Sequence, residues 1–176
     1  SLTAGASLLA SGCAATKTPP ATAATDAVQG TGDIGVVIER AAGALTLVNT
    51  SRREAIGRVQ GLGDLSHASV VFSRDGRYAY VFGRDGGLTK VDLLERRIAG
   101  RVVQAGNAIG GSISHDGSLV VAQNYEPGGI KAFDANTLEL VADVPATTED
   151  GTRSKVVGLA DLSGRHFIYS LFEAGE

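Results

Sequence analysis

The stretch "VFSRDGRYAYVF", residues 71–82, decides the fold. It returns as "SISHDGSLVVAQ" at 112–123, which sets Asp75-Gly76 and Asp116-Gly117 41 residues apart. A looser copy, "LADLSGRHFIYS", occupies 159–170, with Gly164 in the turn. Asp-Gly between two apolar runs is a hairpin signal, because glycine supplies the positive φ of a tight turn. A second marker runs beside the first. "TLVNT" (46–50), "KVDLL" (90–94) and "KAFDAN" (131–136) place Asn49, Asp92 and Asp134 43 and 42 residues apart. A period of about 40–45 residues made of short strands is the mark of propeller blades.

Within one period the spacing predicts strands over 68–73, 78–83, 88–93 and 97–103, joined by turns at Asp75-Gly76, Asp85-Gly86-Gly87 and Glu95-Arg96. Four antiparallel strands make one blade. No stretch carries a long 3.6-residue apolar period. The expected fold is therefore all-β, a β-propeller of four-stranded blades. Three to four blades fit between Gly35 and Glu176, and closing a ring needs more. Residues 33–176 are thus expected to be the N-terminal part of a longer propeller.

Composition agrees with this. The 176 residues include 24 glycines and no tryptophan or methionine, which suits many turns and few long helices. The charge is near balance, 16 basic against 19 acidic residues for a net −3. That excludes a general nucleic-acid binder, which carries a basic excess.

Cys13 is the single cysteine, so no disulfide can form within the chain. It ends "SLTAGASLLASGC", a short run of apolar and small residues. Residues 1–13 read as the remnant of an export signal, with Cys13 as a lipidation site. An ordinary signal peptide or a tail with a stray thiol are the alternatives. The run is too short to span a membrane. Residues 14–32 are rich in alanine, threonine, proline and glycine and predict a flexible tether. This part of the chain thus predicts a periplasmic protein, lipid-anchored at Cys13.

"GTGDIG" (30–35) has the spacing of a dinucleotide fingerprint. That fingerprint must follow a strand and open a helix. Here it follows the tether and opens the apolar run "GVVIER", so no nicotinamide cofactor is expected. No metal-ligand spacing and no Ser-His-Asp order is visible. His115 and His166 fall in hairpin turns and are given no role. His67 stands apart, just before the first strand of its blade. In a propeller that strand lines the channel, and the loop before it opens on one face. An imidazole there can be a structural hydrogen-bonding group or a metal ligand. A lone histidine suits an axial haem ligand.

"GLGDLSHASVVFSRDGRYAYVFGRDGGLTKVDLLE", followed by "AGNAIGGSISHDGSLVVAQNYEPGGIKAFDANTLEL", resembles the NirF family of haem d1 biosynthesis proteins. More distantly it resembles the haem-d1 domain of dissimilatory nitrite reductase. The likeness covers about residues 30–176 and implies an eight-bladed propeller. It implies a late precursor, dihydro-haem d1 or similar, as ligand or substrate in the funnel, with His67 as axial iron ligand. It implies Arg84 near the carboxylates of the ring, Tyr125 on the pocket wall and Lys155 at a basic position. It further implies a step in haem d1 biosynthesis, with nitrite reductase and other maturation proteins as partners. A tetrapyrrole-modifying, dehydrogenase-like activity and mere carriage of the precursor both stay open. The nitrite reductase domain has an arginine in the segment matching "AGNAIGGS", and this chain has none. No C-x-x-C-H haem motif is present either. The alternatives are an interaction scaffold with an empty channel and a nitrite-reductase-like domain.

Overall fold

The computed structural model describes residues 31–175. The export-signal reading, Cys13 and all but the last two residues of the tether lie outside these residues. Thirteen strands follow one another: β1 (Ile34–Glu39), β2 (Ala44–Asn49), β3 (Glu54–Gln60), β4 (Ser69–Phe72), β5 (Tyr78–Phe82), β6 (Gly87–Asp92), β7 (Arg97–Val103), β8 (Asn107–Ile113), β9 (Leu119–Glu126), β10 (Ile130–Asp134), β11 (Leu140–Val144), β12 (Val156–Asp161) and β13 (Phe167–Leu171). One 3₁₀ turn, Arg40–Ala42, links β1 to β2.

Each strand pairs antiparallel with the next in its sheet, giving the sheets β1-β2-β3, β4-β5-β6-β7, β8-β9-β10-β11 and β12-β13. The two middle sheets are complete four-stranded blades. The first sheet differs from the expected four. Its β2 ends at Asn49, the counterpart of Asp92 in the third strand of the next blade. So β1 is a second strand, and no described residue stands in the innermost place of this blade.

The markers of the period are turn devices. Gly76, Gly117 and Gly164 take φ of 73°, 74° and 75°, the left-handed region the hairpins need. The other marker accepts backbone N–H groups. Asn49 Oδ1 accepts from the Arg52 amide at 2.7 Å. Asp92 Oδ1 takes the amides of Leu94 and Glu95, and Asp134 Oδ1 those of Asn136 and Thr137. An Asx side chain imitates the missing turn carbonyl, so these positions repeat for a reason of local geometry.

Burial is between blades. Leu45, Leu47 and Val59 of the first sheet pack with Val81, Val91 and Leu93 of the second. The other side of the second sheet sets Tyr80, Phe82 and Leu88 against Ile113, Val120 and Phe133 of the third. Val121 and Ile130 then meet Val156. Covered on both sides, β6 is buried at every residue. Polar side chains within this stack are paired across it. Tyr80 donates its hydroxyl to Ala135 O at 2.7 Å, and Lys90 Nζ donates to Asn136 O at 3.0 Å. Arg74 reaches the carbonyls of Ile113 and Ser114 one blade on. Gly111 marks a close approach, since a Cβ there would overlap the Phe82 ring and Val121 O.

The first strands of successive blades are neighbours, β4 against β8 and β8 against β12. They line the inner side of the stack, as a propeller requires. The ends of the sheets differ. One end, here called lower, holds the hairpins 73–77, 114–118 and 162–166. The upper end holds 61–68, 83–87, 104–107, 124–129 and 145–155.

Candidate functional site

His67, Arg84, Tyr125 and Lys155 all belong to the upper end. His67 closes the loop that enters β4, and its side chain is exposed with no hydrogen-bond partner among the described residues. The loop itself is fixed. Asp64 Oδ1 accepts the Ser66 amide at 2.8 Å, and the Arg84 amide donates to Asp64 O at 2.8 Å. The 61–68 loop and the 83–87 turn are therefore one unit, and His67 and Arg84 share it. Ser66, through its hydroxyl and its amide, holds the Asp64 carboxyl below the usual carboxylate range, and the charge of Arg84 adds to this.

Arg84 is exposed, and its guanidinium forms no ion pair among the described residues. The adjacent acid does not take it. Asp85 receives Arg101 Nη2 at 2.6 Å and the Gly87 amide at 3.0 Å. Arg101 thus satisfies Asp85 and leaves Arg84 to solvent. An exposed guanidinium on the same structural unit as an exposed imidazole is a pairing suited to a ligand with a carboxylate and a metal.

Tyr125 stands on the next blade, half-buried, where β9 runs into "EPGG". The strand below it is anchored by an amide pair, Gln104 Nε2 to Asn124 Oδ1 at 2.8 Å and Asn124 Nδ2 to Gln104 Oε1 at 3.0 Å. Lys155 lies one blade further and is engaged. Its Nζ meets Glu173 Oε1 at 3.1 Å and lies 5.6 Å from the centre of the Phe172 ring. The Ser154 hydroxyl, with the amide and ammonium of Lys155, holds Glu173 down at about 2. Lys155 can meet a ligand carboxylate after Glu173 gives way.

A cleft of about 350 Å³ lies beside Lys155, lined by Thr148, Glu149, Asp150, Thr152 and Glu173. Its acidic lining repels carboxylates, so it does not extend the His67–Arg84 unit. "GTGDIG" runs through a turn, Ile34 N to Thr31 O at 2.9 Å, into β1 and not into a helix. His115 and His166 lie at the lower end, where His166 Nδ1 faces Ser163 O at 3.1 Å.

One upper-end residue is not read from the sequence. Asn107 pairs with Glu126 at the top of β8, beside two register shifts. Its Oδ1 is buried without a hydrogen-bond partner, an expensive state for an amide oxygen. The signal for it is register. Ala108 faces Asn124, just as the β4–β5 register, continued by one residue, sets Ala68 opposite Gly83. Asn107 therefore holds the place in its blade that His67 holds in the preceding one.

A fit to an iron tetrapyrrole rests on this donor set: an imidazole without a hydrogen-bond partner and a guanidinium without an ion pair among the described residues, with a half-buried phenol ring at the same end of the next blade. The chain is also similar to known proteins. The chain is 66% identical over 151 residues to protein NirF of Stutzerimonas stutzeri, covering 85% of this chain and 39% of that protein. It is 60% identical over 151 residues to protein NirF of Pseudomonas aeruginosa, covering 85% and 38%. It therefore spans about two fifths of the length of these relatives. Among solved structures it is similar to dihydro-heme d1 dehydrogenase NirN in complex with DHE, at TM-score 0.71 and 31% identity, over 79% of this chain and 30% of that one. The model of the cytochrome D1 heme domain matches residues 29–176, and to that family, a β-propeller, this chain belongs.

Proposed function

We propose that the protein serves haem d1 biosynthesis by holding a late precursor, dihydro-haem d1 or a close analogue, at the upper end of its blades. The observation that carries this is the free imidazole of His67 fixed in one unit with the free guanidinium of Arg84. His67 offers its lone pair to the iron as axial ligand. Arg84 holds a carboxylate of the ring in a bidentate grip. Tyr125 covers part of the macrocycle, and Lys155 adds a second cation once released from Glu173. The likeness to NirF proteins supports this reading, and so does the relative solved with DHE. Nitrite reductase and other maturation proteins are the partners that would receive the finished cofactor. The protein works in the periplasm, anchored through a lipid on Cys13. A Cys13→Ser variant should then move from the membrane fraction to the soluble periplasm.

The central test is a titration of the full-length protein with ferric dihydro-haem d1, followed in the Soret region. Wild type should shift the band. His67→Ala should give a different spectrum and weaker binding. A spectrum unchanged in His67→Ala removes His67 as the ligand, and a wild type that takes up no tetrapyrrole makes the protein a scaffold.

A further inference from the structure

The hairpins put a further residue on the collar that holds Arg84 and Tyr125. Arg84 and Tyr125 each stand eight residues after the left-handed glycine of their hairpin, Gly76 and Gly117. Eight residues after the third such glycine, Gly164, stands Phe172. Hydrogen bonds give the same correspondence without counting from the glycines. The amide–carbonyl pairs that close the hairpins are Ser73 to Tyr78, Ser114 to Leu119 and Leu162 to His166. The sixth residue beyond Tyr78, Leu119 and His166 is again Arg84, Tyr125 and Phe172. The backbone is held alike as well. The Arg84 amide donates to Asp64 O at 2.8 Å and the Phe172 amide to Lys155 O at 3.0 Å, each bond tying the residue to the loop that enters its own blade.

Phe172 is an aromatic residue held at this position by its backbone hydrogen bond. The ammonium of Lys155 lies 5.6 Å from the centre of its ring. We infer that Phe172 is a third contact of the bound tetrapyrrole, an aromatic wall in the same ring of positions as Arg84 and Tyr125. This rests on the functional reading above and adds to it a residue and a role. Around the funnel the collar would run from a cation to a phenol to a phenyl group. The macrocycle's charged edge would then lie toward Arg84 and its apolar edge toward Phe172. This makes Phe172 a positioning residue, orienting the ring about the axial bond.

The test uses full-length protein titrated with ferric dihydro-haem d1, with Soret spectra and thermal midpoints recorded together. Phe172→Ala should raise the dissociation constant about three- to tenfold, the range expected for one aromatic contact. The Soret position of the wild-type complex and the thermal midpoint should both be kept. Phe172→Trp should bring affinity back to the wild-type value. Wild-type affinity in Phe172→Ala overturns the inference. So does a lowered midpoint with unchanged affinity, which would put the ring against protein instead. No binding by wild type overturns the functional reading and this inference with it, whereas binding by wild type with an indifferent Phe172→Ala overturns the inference alone.

Discussion

The two ends of the blades use the same residue types for opposite ends. At the lower end charged groups are consumed. Asp75 takes the Ser73 hydroxyl and the Arg77 amide, and Asp116 takes Ser114 and Ser118. Arg77 lies on Asp92, and Arg74 bridges to Asp161 two blades on. At the upper end some groups are equally well used, such as Asp85 with Arg101. Yet His67 and Arg84 are left over in the middle of them. The contrast teaches where to look in a repeat protein. Partners that recur in every blade hold the fold, and a polar side chain without one is available for something else.

The largest effect should come from the core between blades, which serves both ends. Phe82 is fully buried against the third sheet. Phe82→Ala should cost about 3–5 kcal/mol in denaturant unfolding. Next comes the lower end. Asp92 is 1% exposed and satisfies two amides and Arg77. Asp92→Ala should cost about 2–3 kcal/mol, because the amides and the guanidinium lose their acceptor together. A smaller loss would mean that the turns hold themselves.

At the upper end Arg84→Ala should leave the thermal midpoint unchanged and weaken binding of dihydro-haem d1 about ten- to hundredfold, at roughly 1.5–3 kcal/mol for a charged hydrogen bond. A fall in the midpoint with full affinity would erase the distinction between the two ends. Acid should act on both ends, since Asp64 and Glu173 at the upper end and Asp75, Asp116 and Asp134 at the lower end are all held below the usual carboxylate range. Hydrogen bonds from Ser114 and Ser118 hold Asp116 down at about 2, and Ser73 and the Arg77 amide lower Asp75. Asp134 is lowered by the amides of Thr137 and Asn136. For Asp92 burial pulls upward and is outweighed by the Glu95 amide and Arg77. Since the folded values lie below the unfolded value of 3.8, the stability these carboxylates lend is complete above it. It is lost as pH falls toward 2. Thermal midpoints should therefore be flat from pH 7 to about 5 and fall below 4. The smallest effect is expected for His115→Ala, an exposed turn residue: within about 0.5 kcal/mol in stability and no change in binding.

Much of this was legible in the residues. Asp75-Gly76 and Asp116-Gly117 announced the hairpins, and Asn49, Asp92 and Asp134 the outer turns at the same end of each blade. Both devices are local, so sequence spacing carries them. His67 stood out because it broke the pattern of the other two histidines. What stayed hidden depends on contacts between blades or across a strand pair. Arg101 lies 16 residues from the Asp85 it binds, and nothing in "FGRDGG" says that Arg84 will be left free. Lys155 reads as an available cation until Glu173, on the neighbouring strand's exit, is seen to hold it. Asn107 became a counterpart of His67 through two register shifts that no motif records. The missing inner neighbour of β1 shows the same limit, for the sequence there gives a strand but not its rank in the blade.

The order of strands in the sheets has a kinetic meaning. Within each sheet every strand pairs with its immediate successor in the chain. Each pairing therefore closes a short loop, and short loops cost little entropy and close within microseconds. Most hydrogen bonds that join blades span about one period, as with Arg74 to Ser114, 40 residues apart, and Lys90 to Asn136, 46 apart. A chain wired this way can assemble blade by blade along its length, each finished sheet serving as a template for the next. His67 and Arg84 come together inside one such unit, within a span of about 20 residues. Their geometry would thus be set early, by a single blade, before the rest of the collar arrives around it.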